Sequence, residues 1–203
     1  MPNKRTIVRT NQTPNSVTEV PLKAVTFQEL WNNYPSGNPY NNPAYTNQCA
    51  IRMSVTLHRV GIEMKSFSSR LVKPLGGQES IGRIILDGKP TATRANEFGA
   101  WLKLQPVAGV GKAENVTGAD WESKVKGRTG IIMFDGYWTR AGESEASASG
   151  GHIDLWNGTR LTNNGVLGTL ETFSRFTLGI NDPWIPVYSD LRKSKAILFF
   201  EVE

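Results

Sequence analysis

The sequence predicts an α+β fold in which a helical first half precedes an antiparallel sheet. Apolar residues recur with helical spacing after Thr26, Cys49 and Thr93, whereas short β-branched and aromatic runs separated by turns dominate from Gly130 onward. The length of 203 residues is enough for one domain that buries its own hydrophobic core. No internal repeat or second-domain linker interrupts this pattern.

The N-terminal segment differs in composition from the rest of the chain. Residues 1–24 are polar and rich in Pro, Thr and Asn, so we expect an extended or partly ordered arm before a single domain over 25–203. The basic start of the arm is followed by polar residues, which predicts synthesis in the cytoplasm without a signal peptide. No apolar run approaches the roughly 20 residues that a membrane span needs, so no membrane association is expected.

Two helices are predicted in the first half of the chain. The first covers 27–34, with Thr26 as its N-cap and apolar residues at positions i, i+3, i+4 and i+7. A loop of turn-forming residues over 35–43 precedes the second helix. This helix begins at Cys49 and runs to about His58 or Val60, where Gly61 ends it.

The second half is predicted to turn from helices to strands. A helix is expected over 93–102 and part of another over 120–124. The apolar runs 131–134, 137–138, 153–156 and 196–202 predict strands, and the loop 141–150 between them is rich in Ser, Ala, Gly and Glu.

Composition and charge exclude several classes of function. The net charge of +5 predicts weak attraction to polyanions, but the basic residues are spread along the chain, and no nucleic-acid-binding motif is present. One cysteine and two histidines are too few ligands for structural zinc, and one cysteine permits no intramolecular disulfide. We therefore expect no metal and no cofactor.

Cys49 is the candidate nucleophile. It lies where a polar loop meets the start of the second predicted helix. Unpaired backbone N–H groups and the positive end of the helix dipole favour a thiolate there. The alternative is a small buried structural residue, which is the common fate of a free cysteine.

His152 is the candidate base. The other histidine, His58, lies nine residues further along the helix of Cys49, on its opposite face, so we expect it at the surface or the helix end. His152 comes from a separate strand-like segment that can pack against the helix start. Its alternative role is that of a histidine satisfied in a turn.

A catalytic imidazole needs a third group to fix its orientation, and two residues compete for this role. Asp154 shares a strand face with His152, but neighbouring positions on one face are awkward for a straight hydrogen bond to the ring. Asn163 follows a predicted turn at Asn157-Gly158, and the returning chain can bring its amide beside His152. The sequence favours Asn163 and leaves Asp154 as the alternative.

Two segments resemble a known family. These segments are Asn-Gln-Cys-Ala-Ile-Arg-Met-Ser over 47–54 and Gly-His-Ile-Asp-Leu-Trp-Asn-Gly over 151–158. Both resemble the fourth class of type VI secretion amidase effectors, which are small papain-like cysteine peptidases. A weaker likeness lies in register at 126–132, and the resemblance extends from about Phe27 to the last strand. It implies a papain-like, NlpC-type fold with the cysteine at a helix N-terminus packed on an antiparallel sheet.

The resemblance also implies an activity and partners. Such proteins hydrolyse the bond between D-glutamate and meso-diaminopimelate in the stem peptide of peptidoglycan. As antibacterial toxins, they are delivered by the secretion machinery to the periplasm of a rival and neutralised in the producer by a cognate immunity protein. The family's nucleophile corresponds to Cys49 and its base to His152. Its acidic third member falls at Asn163 in an ungapped alignment, a departure that leaves the third role open.

The resulting hypothesis is acyl transfer through the Cys49 thiolate, with the Cys49 backbone N–H helping to hold the oxyanion. Arg52, one helical turn away, is expected to face a substrate carboxylate, and Trp156 to line the substrate groove. Two other hypotheses are a non-catalytic wall-binding or adaptor module with a structural cysteine, and an acyltransferase with the same triad.

Overall fold

A computed structural model of the chain describes residues 6–8, 18–20, 23–139, 148–162 and 191–203. These residues combine helices with antiparallel sheets, which confirms the predicted α+β class. No helix in these ranges is long and apolar enough to cross a membrane.

The helices of the described residues follow the sequence prediction closely. They are α1 (Phe27–Asn33), α2 (Cys49–Arg59), α3 (Ala95–Leu102) and α4 (Trp121–Val125). At the start of α1, the Glu29 backbone N–H donates to the Thr26 hydroxyl over 3.3 Å, and the Thr26 N–H donates to the Glu29 carboxylate over 3.0 Å. This capping box fixes the helix start. Gly61, with φ of +90°, follows the end of α2 as predicted.

The described strands form one four-stranded sheet and two separate two-stranded sheets. In chain order they are β1 (Thr6–Val8), β2 (Thr18–Val20), β3 (Arg83–Leu86), β4 (Lys89–Ala92), β5 (Val110–Asn115), β6 (Gly130–Trp138), β7 (Gly150–Trp156) and β8 (Ala196–Val202). The antiparallel main sheet has the order β5-β8-β6-β7, and a 3-10 turn at Leu191–Lys193 precedes β8. The last strand of the chain is therefore internal to the sheet.

Some strands depart from the sequence prediction. The runs predicted over 131–134 and 137–138 belong to one strand, β6, whose register against β7 shifts between Phe134 and Trp138. Within the predicted N-terminal arm, β1 and β2 pair with each other. The boundary of the arm itself stays a prediction.

The hairpin of β3 and β4 and the strand β5 were missed by the sequence prediction. Asp87 and Gly88 connect β3 to β4 with φ of +50° and +74°. A two-residue turn with positive φ at both positions is the type that joins twisted antiparallel strands, and Asp-Gly is one of its preferred sequences. The sequence therefore contains the turn residues that predict this hairpin.

Both faces of the main sheet are covered. One face packs against α2 and α3 through residues such as Met53, Phe98 and Ile153, and the other packs against α4 around Trp121. Because β8 contributes to both cores, residues 197–200 are all buried, and their sequence is a continuous apolar run. The sheet is therefore a rigid support for the side chains at its edge.

The helix α2 is tied to the β3–β4 hairpin by one buried hydroxyl. Ser54 donates to the Ala50 carbonyl over 2.8 Å and accepts the Ala92 backbone N–H over 3.0 Å. The Ser54 side chain is fully buried, so no water can replace it as the acceptor of the Ala92 N–H. The position of Cys49 relative to β4 depends partly on this bond.

We expect Ser54→Ala to lower the free energy of unfolding by about 1–3 kcal/mol, because it leaves the buried Ala92 N–H without an acceptor. Urea denaturation followed by circular dichroism measures this loss. The matched control is Thr56→Val, which removes a buried hydroxyl that bonds only to the Arg52 carbonyl of its own helix, among the recorded contacts. It should cost less than about 1 kcal/mol. Equal losses of unfolding free energy in the two variants would show that the hydrogen bond between Ser54 and Ala92 adds no stability.

Candidate active site

Cys49 is the first residue of α2, as the sequence predicts. The preceding residue, Gln48, does not cap the helix with its side chain. Its amide instead holds the loop before the helix: it donates to the carbonyls of Tyr40 and Tyr45 over 2.6 and 3.0 Å, and accepts the Tyr40 N–H over 3.1 Å. The N–H groups of the first helical turn therefore remain available to the thiol and to a ligand. The Ala50 N–H hydrogen-bonds to the Cys49 sulfur.

The start of α2 lies against β7, an outer strand of the main sheet. The Ile153 backbone N–H and the His152 ring both hydrogen-bond to the Cys49 thiol. The His152 ring stacks on Phe134 of the neighbouring strand, with 6.4 Å between ring centroids. A helix-start cysteine that meets a histidine on an antiparallel sheet is the arrangement that the resemblance to papain-like peptidases implies.

Asp154 is the acidic neighbour of His152. Its Oδ2 lies 3.5 Å from His152 Nε2, and its Oδ1 accepts the Leu155 backbone N–H over 2.8 Å. The carboxylate is almost fully buried, with a side chain that is 5% exposed. The Tyr34 hydroxyl lies against the same carboxylate and stabilises its charged form. Asp154 therefore reaches the imidazole despite the awkward spacing along one strand face.

The electrostatics favour a charged pair of Cys49 and His152. Burial raises the pKa of Cys49, but its hydrogen bond to His152 and the positive charge of that ring outweigh burial, so the pKa of the thiol lies below its ordinary value. Burial lowers the pKa of His152, yet the hydrogen bonds to Asp154 and Cys49 hold it well above its ordinary value. Burial also raises the pKa of Asp154, against the opposing effect of His152. The shifts of Cys49 and His152 favour thiolate and imidazolium together at neutral pH.

The other predicted site residues have different surroundings. Asn163 lies outside the described residues. Arg52 donates to the Asn38 side chain over 2.5 Å and to the Gly37 carbonyl over 3.3 Å, so its recorded contacts are with the loop before α2, and its contact with substrate stays a prediction. His58 lies in the last turn of α2, with Nε2 3.1 Å from the Pro90 carbonyl oxygen. This agrees with its predicted place at the helix end.

The expectation that Trp156 lines the substrate groove needs correction. Its side chain is 2% exposed and belongs to the core on the α4 side of the sheet. The indole N–H donates to the Val125 carbonyl over 2.9 Å, and the ring meets Trp121 edge to face. Trp156 is a core residue because its face of β7 is covered by α4, which the sequence pattern does not reveal.

A cavity of about 440 Å³ opens beside Cys49. Its lining comes from four places: the loop before α2 with Cys49 itself, the segment leading into β3, the turn into α3, and the strand β7. The lining residues are Ala44, Tyr45, Thr46, Asn47, Cys49, Gln78, Ser80, Ile81, Gly82, Arg83, Thr93, Arg94, Ala95 and Gly151. The wall from Gln78 to Arg94 was not predicted from the sequence, although the Asp87-Gly88 pair is typical of a hairpin turn within it.

A buried carboxylate holds this wall together. Glu97 of α3 is 2% exposed, and its carboxylate accepts the Leu75 and Gly82 backbone N–H groups over 2.8 and 2.5 Å. Arg94 donates to the same carboxylate over 2.9 Å and to the Ser80 carbonyl over 2.8 Å. Three donors therefore converge on one buried carboxylate, and Arg94 links it to Ser80, which together fix the shape of the cavity.

The family model for Tae4, the type VI secretion system amidase effector protein 4, matches residues 45–200, a range that contains Cys49, His152 and Asp154. The chain belongs to the Tae4 family. The resemblance of the Cys49 and His152 segments to this family is thus confirmed, and the family's activity is that of an amidase effector. No curated protein matches the chain significantly.

Solved Tae4 structures are similar to the chain over most of its length. Tae4 from Salmonella typhimurium, in complex with the immunity protein Tai4 from Enterobacter cloacae, is 18% identical; the match covers 87% of this chain and 98% of that one, with a TM-score of 0.48. Tae4 from Enterobacter cloacae is 17% identical, with 88% and 96% of the two chains covered and a TM-score of 0.48.

We expect the Cys49 thiol to react with iodoacetamide at a pH below the ordinary pKa of a thiol, because His152 stabilises the thiolate. Removing the ring with His152→Ala should shift the rate profile to higher pH and slow alkylation at pH 7 about tenfold for each unit by which the thiol pKa rises. Mass spectrometry of the labelled chain measures the rate without ambiguity, because the chain has one cysteine.

The matched control is His58→Ala, which removes the other histidine from the far end of the same helix and should leave the profile unchanged. A wild-type profile with the midpoint of an unperturbed thiol would contradict activation of Cys49 by His152.

Proposed function

We propose that the protein is a cysteine-dependent peptidoglycan amidase that hydrolyses the bond between D-glutamate and meso-diaminopimelate in stem peptides. The observation that carries the proposal is the contact of Cys49 with His152 beside an open cavity, in a chain of the Tae4 amidase effector family. An amidase needs a nucleophile, a proton donor for the leaving amine and space for a peptide. These three features support the assignment.

The proposed reaction begins at the Cys49 sulfur. The thiolate attacks the γ-carbonyl carbon of the D-glutamyl residue, and the carbonyl oxygen becomes an oxyanion near the free N–H groups at the start of α2. The protonated His152 donates its proton to the diaminopimelate nitrogen, the C–N bond breaks, and the amine leaves. A thioester to Cys49 remains. His152 then accepts a proton from water as the water attacks the thioester, which releases the D-glutamyl γ-carboxylate and restores the thiol.

We propose Asp154 as the residue that orients His152. The separation of 3.5 Å between its Oδ2 and His152 Nε2 supports this role, as does the anchoring of its other oxygen by the Leu155 N–H. A fixed carboxylate holds the ring and stabilises the imidazolium that forms during the reaction. The geometry thus favours Asp154, whereas the sequence favours Asn163.

We further propose that the protein acts as an antibacterial toxin in the periplasm of a target cell and that a cognate immunity protein neutralises it. Membership of a type VI secretion effector family supports delivery to another cell. Tae4 from Salmonella typhimurium is described in complex with the immunity protein Tai4, which supports a partner of the same kind here. An immunity protein that closes the cavity would block access to Cys49.

We expect Cys49→Ala and His152→Ala each to abolish cleavage of purified peptidoglycan, because the thiolate and the imidazolium act as one unit. The double variant should be no worse than either single variant. Mass spectrometry of the muropeptides should detect disaccharide-dipeptides that end in D-glutamate after digestion with the wild-type protein only. Circular dichroism checks that each variant is folded.

Expression in cells tests in which compartment the target lies, independently of the reaction mechanism. Expression with a secretory signal peptide should lyse the cells, whereas expression without it should be tolerated, and Cys49→Ala should be harmless in both forms. Full activity of a folded Cys49→Ala variant would rule out the thiol mechanism. Equal toxicity in both compartments would point to a cytoplasmic target.

We expect Asp154→Asn to lower kcat about 10- to 1000-fold, with KM little changed, because the imidazolium loses its negative partner. The pH above which activity declines should move down as well, since Asp154 helps to raise the pKa of His152. Asn163→Ala serves as the comparison and should have the smaller effect. The opposite order of the two variants would assign the orienting role to Asn163, as the ungapped family alignment implies.

A further inference from the structure

The cavity beside Cys49 has a cationic wall. Two arginines, Arg83 and Arg94, line it, and its fourteen lining residues include no Asp or Glu. A cavity lined by one sign of charge attracts ligands of the opposite sign. The wall therefore suits a ligand that carries a carboxylate.

The two arginines differ in how their donors are used. Arg94 is held by the Glu97 carboxylate, the Ser80 carbonyl and the Gln78 side chain, with bonds of 2.8 to 2.9 Å. Its charge is thus neutralised by a buried partner. Arg83 has one recorded hydrogen bond, from Nη1 to the Phe67 carbonyl over 3.3 Å, and no carboxylate of the described residues lies within ion-pair distance of it. The charge of Arg83 is the one left for a ligand.

The backbone of Arg83 is well placed for this role. It is the first residue of β3 and pairs with Ala92 of β4, whose N–H is bonded to Ser54 of α2. The Gly82 N–H just before it is bonded to Glu97. Arg83 is therefore anchored at the cavity wall through neighbours on both sides, while its side chain is exposed. A fixed backbone lowers the entropic cost of binding a ligand.

The chemistry of the proposed substrate supplies the anion. When D-glutamate is linked through its γ-carboxyl group, its α-carboxylate stays free and lies close to the scissile bond. An ordinary α-peptide has no such group next to the bond that is cut. A guanidinium can bind a carboxylate with two parallel hydrogen bonds, which gives both affinity and orientation.

We propose that Arg83 is a specificity residue that binds the free α-carboxylate of the γ-linked D-glutamyl residue, an inference that rests on the function proposed above. Arg83 would thereby present the γ-carbonyl carbon to Cys49 and reject a glutamyl residue whose α-carboxyl group is amidated. Arg52 fits this role less well, because its recorded donors are engaged with the loop at Gly37 and Asn38.

The test combines a change in the enzyme with a change in the substrate. Wild-type protein and Arg83→Gln are each given two synthetic L-alanyl-γ-D-glutamyl-diaminopimelate peptides that differ only at the glutamyl α position, as carboxylate or carboxamide. Wild-type protein should prefer the carboxylate by about 10- to 100-fold in kcat/KM, mainly through KM, because the ion pair is present in both ground and transition state. Arg83→Gln should lose this preference. Arg83→Lys should keep part of it, because a lysine retains the charge without the fork geometry.

The matched control is Arg70→Gln, which removes an equal charge from an exposed residue outside the cavity lining and should leave both rates unchanged. Equal rates of the wild-type protein on the two peptides, or an unchanged preference in Arg83→Gln, would overturn the role of Arg83 while leaving the amidase intact. Cleavage of neither peptide by wild-type protein would overturn the proposed function and the inference together. If Arg83→Gln fails to fold, the wild-type preference and the Arg83→Lys variant decide the question.

Discussion

The site depends on one contact between two elements: the N-terminus of α2 meets the outer edge of β7. Among the described strands β7 has a neighbour on one side only, so the Ile153 N–H can point away from the sheet and bond to the Cys49 sulfur. The same contact brings His152 to the thiol. Without these donors burial alone would raise the thiol pKa, because a buried thiolate loses its hydration. The docking of α2 thus converts an ordinary helix-start cysteine into an acidic thiol.

The rest of the fold keeps this contact rigid. The central strand β8 contributes side chains to the cores on both faces of the sheet, so the strands next to the site cannot shift independently. On the other side of Cys49, Ser54 bonds α2 to β4, and Glu97 bonds α3 to the segment before β3. Both ties use buried side chains to satisfy backbone N–H groups. The cavity is therefore bordered by elements that are fixed to one another, which is the preorganisation that acyl transfer requires.

Positively charged groups around Cys49 favour two anions, the thiolate itself and an anionic ligand in the cavity. The protonated form of His152 stabilises the thiolate, while Arg83 on the cavity wall offers a cation that no described carboxylate neutralises. Nearby, the equal charge of Arg94 is neutralised by Glu97. A free cation at a distance from the nucleophile can attract an anionic peptide without directly quenching the thiolate. Arg94 therefore has a structural role in the wall, and Arg83 is available to bind an anionic ligand.

The sequence by itself determined what depends on neighbours along the chain: the Thr26 cap of α1, the start of α2 at Cys49, its end at Gly61 and the last strand. Only the tertiary structure decided which residues meet across the sheet. It buried Trp156, enclosed the Asp154 carboxylate beside His152 and made the wall around Arg83, because strand order and helix docking are set by contacts between residues far apart in the chain. A periodic pattern indicates which side of a strand is apolar. It does not indicate which element covers that side, and this decides whether a side chain belongs to the core or to the site.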